Sequence, residues 1–100
     1  MNYYQNKTIL ITGASSGIGL EFANQLNEFG AKLIITARSA DKLNRLAENY
    51  HSAVVIPGDL SDKSFPLQLH KEIQSKGLDV DILINNAGFG SIGKLLKSDS

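Results

Sequence analysis

The chain has 100 residues, enough for one small domain with little room for a second. Hydrophobic residues make up 42% and ten basic side chains balance ten acidic ones, so bulk charge favours neither nucleic acid nor an anionic membrane. Cysteine is absent, which excludes disulfides and thiolate metal sites, and no apolar run approaches the roughly 20 residues of a membrane span. The polar start, Met1 to Lys7, lacks the apolar core of a secretory signal, so a cytoplasmic location is expected.

Thr8 to Thr12 is β-branched and apolar without alternation, which predicts a short strand buried on both faces. From Gly17 to Phe29, the residues Ile18, Phe22, Leu26 and Phe29 recur at helical spacing, and Gly30 stands where a C-terminal cap belongs. Leu33 to Ala37 predicts a second buried strand. Ser39 is placed to cap the next helix, with Asp41 in its first turn and Leu43, Leu46, Ala47 and Tyr50 as its inner stripe. Ala53 to Ile56 predicts a third strand, stopped by Pro57-Gly58. Phe65, Leu69 and Ile73 predict a third helix that tolerates Pro66 only in its first turn and ends at Gly77. Asp81 to Asn85 predicts a fourth strand.

Strands and helices alternating at this rhythm form right-handed βαβ units and a parallel sheet. The expected class is α/β, a doubly wound sheet of strand order 3-2-1-4. Ligands of such sheets bind at the carboxyl ends of strands beside the reversal of order. Gly13–Gly19 and Asn85–Gly88 both fall there.

The most informative stretch is Thr12-Gly13-Ala14-Ser15-Ser16-Gly17-Ile18-Gly19, between the first strand and the first helix. Its glycines allow a tight turn and close approach of backbone N–H groups to a ligand. The first N–H groups of the helix lack intrahelical partners and sit at the positive end of its dipole, which suits a pyrophosphate. The spacing is Gly-x-x-x-Gly-x-Gly rather than the common Gly-x-Gly-x-x-Gly. A purely structural turn is the alternative. At the end of the second strand an NAD site usually carries an acid for the ribose 2′-hydroxyl. This chain has Thr36-Ala37-Arg38-Ser39 instead, and Arg38 can grip a 2′-phosphate with a forked, charge-assisted hydrogen bond that Ser39 supplements. The alternative for Arg38 is a solvated loop position. Asp59-Leu60 follows the third strand, and Asn85-Asn86-Ala87-Gly88 closes the fourth.

With Thr12, the glycine spacing and Asn85-Asn86-Ala87-Gly88, the chain resembles the short-chain dehydrogenase/reductase family over essentially all its length. The resemblance implies that residues 1–100 are the N-terminal part of a single NAD(P)-binding Rossmann-fold domain. It assigns cofactor contacts to Gly13, Ser15, Ser16, Gly17, Ile18 and Gly19 for the phosphates, and to Arg38 for the 2′-phosphate. NADP(H) is therefore favoured over NAD(H), although Ser15 replaces a second basic residue that some NADP-preferring members carry in the glycine loop. Asp59 and Leu60 would line the adenine pocket, with Asp62 capping the third helix; the alternative is that Asp59 serves its own turn. Asn86, Ala87 and Gly88 would lie beside the adenine ribose, with Asn85 more structural. Phe89-Gly90 is similar to a broad branch whose substrates vary.

Members of the family move a hydride between nicotinamide and a small-molecule carbonyl or alcohol, using Ser, Tyr and Lys of a Tyr-x-x-x-Lys signature. Tyr4 and Tyr50 have no lysine at that spacing, and Tyr3, although Lys7 follows it at that spacing, lies before the first strand, whereas the signature comes later in the fold; no residue of this chain is assigned a catalytic role. The expectation is a fragment of a longer oxidoreductase that assembles with copies of itself. Ser98-Asp99-Ser100, a helix start with no helix after it, and an apolar fourth strand at the sheet edge both point that way. Two other classes stay open: a non-catalytic dinucleotide-binding module or redox sensor, and a subunit that completes its sheet with a partner. Gly88 to Lys94 has the spacing of a phosphate-binding P-loop, but Leu95 stands where Ser or Thr is required, and Lys94 and Lys97 read as solvated. His51 and His70 are single histidines, read as surface positions, and no metal site is expected.

Overall fold

The computed structural model describes residues 2–86. Seven elements alternate along them: β1 (Thr8–Thr12), α1 (Gly17–Glu28), β2 (Lys32–Thr36), α2 (Ala40–Ala47), β3 (Ala53–Val55), α3 (Phe65–Ser75) and β4 (Ile82–Asn85). All strand pairs are parallel, and the order is β3-β2-β1-β4, as the alternation predicts. Register brings Thr12 level with Thr36 on one side and Asn85 on the other, so three strands end on one line. That line carries the site.

The strands are apolar without alternation because both faces are covered. Ile9, Ile11, Leu33 and Ile35 pack with Ala23 and Leu26 of α1 and Leu43 of α2. Leu10 and Ile34 point the other way, onto Phe65, Leu69 and Ile73 of α3. Both α1 and α3 close with the same pattern of bonds. Ala31 N–H reaches the Leu26 carbonyl across Gly30, and Leu78 N–H reaches that of Ile73 across Gly77. Ser39 caps α2, its Oγ accepting from Lys42 N–H at 3.3 Å.

Three local readings differ from the structure. The face of α1 on the sheet is Gly19, Ala23 and Leu26, whereas Ile18, Phe22 and Phe29 are exposed by 68%, 43% and 44%. Hydrophobic size misleads here because α1 approaches the sheet too closely for large side chains at the contact. His51 is exposed, but His70 is buried beside Leu69 on α3, whose inward arc is two residues wide. Asp62 does not cap α3 with its side chain; its Oδ1 accepts from Ser64 N–H and Oγ at 2.9 and 2.8 Å, tightening the turn before the helix. Among the described residues no helix is long and apolar enough to cross a membrane. None of their His, Asp and Glu side chains cluster as a metal site would require.

Candidate functional site

The loop after β1 is held from both sides. Gly13 and Ala14 N–H both donate to the Thr36 carbonyl, at 2.9 and 3.3 Å, tying the loop to the end of β2. From β4, Asn85 Oδ1 accepts from Thr12 Oγ1 at 3.1 Å and Asn86 Nδ2 donates to the Gly13 carbonyl at 3.3 Å. Asparagines are poor strand formers, and these two act as clamps on the turn.

Within the loop, two glycines are required for different reasons. Gly17 has φ +58° with open space around it, so its backbone conformation is what excludes a side chain. At Gly19 a Cβ would collide with the Gly13 carbonyl oxygen and approach Asn86 Nδ2 to 2.8 Å. The start of α1 therefore lies directly on the turn it follows. Ser16 is the N-cap but makes no side-chain cap bond, and the first turn holds no acid. The N–H groups of Gly17, Ile18 and Gly19 precede the first bond of the ladder, from Leu20 N–H to the Ser16 carbonyl. Free N–H groups at the positive end of a helix dipole suit an anion in general.

A cleft of about 550 Å³ opens beside the loop, on the β2–β3 side. Its walls are Gly13, Ser15 and Ser16 from the glycine loop, Ala37, Arg38, Ser39 and Lys42 from the passage into α2, and Gly58 to Ser61 after β3. The three segments meet because parallel strands in register deliver their carboxyl ends to one edge. The Asp59 carboxyl is pulled below its ordinary range, chiefly by hydrogen bonds from Ser61 and to a lesser degree by the Arg38 charge. Its Oδ1 accepts from Ser61 N–H at 2.9 Å and from Ser61 Oγ at 2.6 Å, so Asp59 serves its own turn as well as facing the cleft.

Of the positions expected from the sequence, Gly13, Ser15, Ser16, Arg38, Asp59 and Leu60 line this cleft. Gly17 and Gly19 shape the loop beside it, and Ile18 is exposed on the first turn of α1. Asn86 stands behind Gly13. Ala87 and Gly88 lie outside the described residues, as do Phe89-Gly90, Lys94, Lys97 and Ser98-Asp99-Ser100. The cleft opens at the carboxyl ends of β1, β2 and β3, while Asn86, after β4, reaches the same glycine loop from the side where the strand order reverses. Sequence reasoning missed Lys42 and Ser61. Lys42 follows Arg38 by four residues across a helix start, a signal that carries meaning only once α2 is docked.

Residues 7–100 match the family model described as short chain dehydrogenase. Among curated relatives, an uncharacterized oxidoreductase of Staphylococcus saprophyticus is 41% identical over 92 residues, 88% of this chain and 37% of that protein. A fatty acyl-CoA reductase of Acinetobacter baylyi is 39% identical over 88 residues, 84% of this chain and 30% of that one. Among solved structures, the L-sorbose reductase of Gluconobacter frateurii, complexed with NADPH and L-sorbose, superimposes with a TM-score of 0.77 at 32% identity, covering 87% of this chain and 35% of the other. An NADPH-dependent reductase involved in bacilysin biosynthesis gives 0.76 at 31% identity, over 82% of this chain and 35% of that one. The chain thus spans about a third of the length of the proteins it matches.

Proposed function

This chain belongs to the short-chain dehydrogenase family, and we propose that it is the cofactor-binding part of an NADP(H)-dependent oxidoreductase acting on a carbonyl or secondary alcohol of a small molecule. The observation that carries the reading is the meeting of Arg38 with the glycine loop in one cleft, with no carboxylate in the segment that ends β2. Two structurally similar proteins are described as NADPH-dependent or complexed with NADPH, which supports the same choice. Bound here, the nicotinamide cofactor supplies or accepts the hydride.

The chain's own residues bind and orient. The unpaired N–H groups at the start of α1, with the Ser15 and Ser16 hydroxyls, receive the pyrophosphate. Arg38 presents a planar, permanently charged donor set to the 2′-phosphate. Leu60 offers an apolar wall to the adenine, and Asp59 keeps Oδ2 available for its amino group while Oδ1 holds the turn. Asn85 and Asn86 keep the loop in place from behind. Proton transfer to the substrate oxygen falls to residues outside positions 1–100, so this segment alone binds without turnover.

The test is a direct titration of the protein with NADPH and NADH, followed by fluorescence or calorimetry. The reading predicts saturable binding of both, with NADPH tighter by about tenfold, as expected for one phosphate held by a charged hydrogen bond. Absence of binding, or tighter NADH, contradicts it.

A further inference from the structure

We propose that Lys42 is the second cation of the cofactor cleft and sets its selectivity for a 2′-phosphorylated dinucleotide. The inference rests on the reading of the cleft as a dinucleotide site. Three observations lead to it.

The first is place. Lys42 lines the main cleft together with Arg38, and also lines an adjoining groove of about 300 Å³ with Ser15 and Arg45. It therefore stands on the wall shared by the glycine loop and α2. Its backbone N–H is bonded to Ser39 Oγ at 3.3 Å, which ties the start of its side chain to the residue that follows Arg38.

The second is charge. Among the described residues, the charged side chains lining the main cleft are Arg38, Lys42 and Asp59. The Arg38 field already acts on the Asp59 carboxylate, so Arg38 alone meets a dianionic phosphate with a competing anion at its side. With Lys42 the wall carries two cations against one carboxylate; without it the wall is neutral. A wall with net positive charge favours an added phosphate more than the Arg38 contact does by itself.

The third is local cost. Lys42 sits in the first turn of α2, at the positive end of the helix dipole, where an acid such as Asp41 is favoured and a cation is not. Helix stability offers no account of a lysine there, whereas an anion in the cleft does.

The experiment compares dissociation constants for NADPH and NADH in the wild-type protein, Lys42→Gln, Lys42→Arg and, as reference, Arg38→Asp. Lys42→Gln is expected to weaken NADPH by about fivefold at low salt, the scale of a partly exposed charged contact, and to leave NADH unchanged. Lys42→Arg is expected to retain the wild-type ratio. If Lys42→Gln changes neither constant, the side chain is solvated and the proposal fails. If it weakens both alike, Lys42 acts on the shared pyrophosphate or on α2, and the selectivity role fails equally. A shifted ratio in Arg38→Asp beside an unshifted one in Lys42→Gln removes this inference alone. An unshifted ratio in both removes the NADP(H) reading as well.

Discussion

Gly19 lacks a side chain because the space for one is taken by the Gly13 carbonyl oxygen and the Asn86 amide. Neither is the free end of a flexible chain: the carbonyl is main chain, and Asn86 Nδ2 is bonded to it. Gly19→Ala must therefore push α1 away from the turn, at about 1–3 kcal/mol of stability by analogy with overpacked cores. The displaced loop also loses its aim at a phosphate. The expected outcome is a lower thermal midpoint and weakened binding of NADPH and NADH alike, measured by melting and titration; an alanine variant with wild-type affinity for both would show that the close contact is not needed. At this scale Arg38 lines the cleft beside the glycine loop, and the tight turn of that loop was legible in the sequence, because it follows from neighbours along the chain. So was the alternative given for Asp59, whose bonds to Ser61 span only two residues. The place of Lys42 in the cleft was not, since it depends on where a separate helix comes to rest.

The elements were legible as elements and less so as faces. Each strand is an apolar run because the sheet is covered on both sides, and Ser39, Gly30 and Gly77 mark helix ends by local bonding alone. On α1 only Leu26 of the pattern of large residues is buried; Gly19 and Ala23 complete the face on the sheet through their small size, and Ile18, Phe22 and Phe29 lie exposed. The stretch after α2 shows how one side chain joins two elements. Tyr50 OH donates to Asn24 Oδ1 on α1 at 2.6 Å, and the phenol is pushed from its ordinary pKa of 10 to about 12 by burial. A folded-state pKa raised in this way stabilises the protein fully below pH 10, and the contribution is lost as pH rises from 10 to about 12. Tyr50→Phe is expected to cost about 1 kcal/mol at neutral pH through the lost hydrogen bond. It should also flatten the alkaline fall in stability, read as urea midpoint against pH. An equally steep fall in the variant would assign that fall to other groups.

At the scale of the whole molecule, formal charge is zero, yet among the described residues the cleft wall carries an excess of one positive charge over negative. Parallel register concentrates that excess by delivering the ends of β1, β2 and β3 to one edge, above a core split between the two sheet faces. Strand order was legible from alternation and the rule of right-handed crossovers. So was the placing of the glycine loop at the carboxyl edge; the full set of walls was not, because they are loops whose approach is set by the packing of α2 and by the turn at Asp59. The central claim is that Arg38 faces a 2′-phosphate there. It is tested most directly by the ratio of NADPH to NADH dissociation constants in the wild-type protein and in Arg38→Asp, at low and at raised salt. The account predicts that the substitution weakens NADPH by about a hundredfold, through a lost charged contact and an added repulsion. It also predicts that NADH binds as well or better, and that salt narrows the wild-type preference. A ratio that stays the same in Arg38→Asp would contradict it.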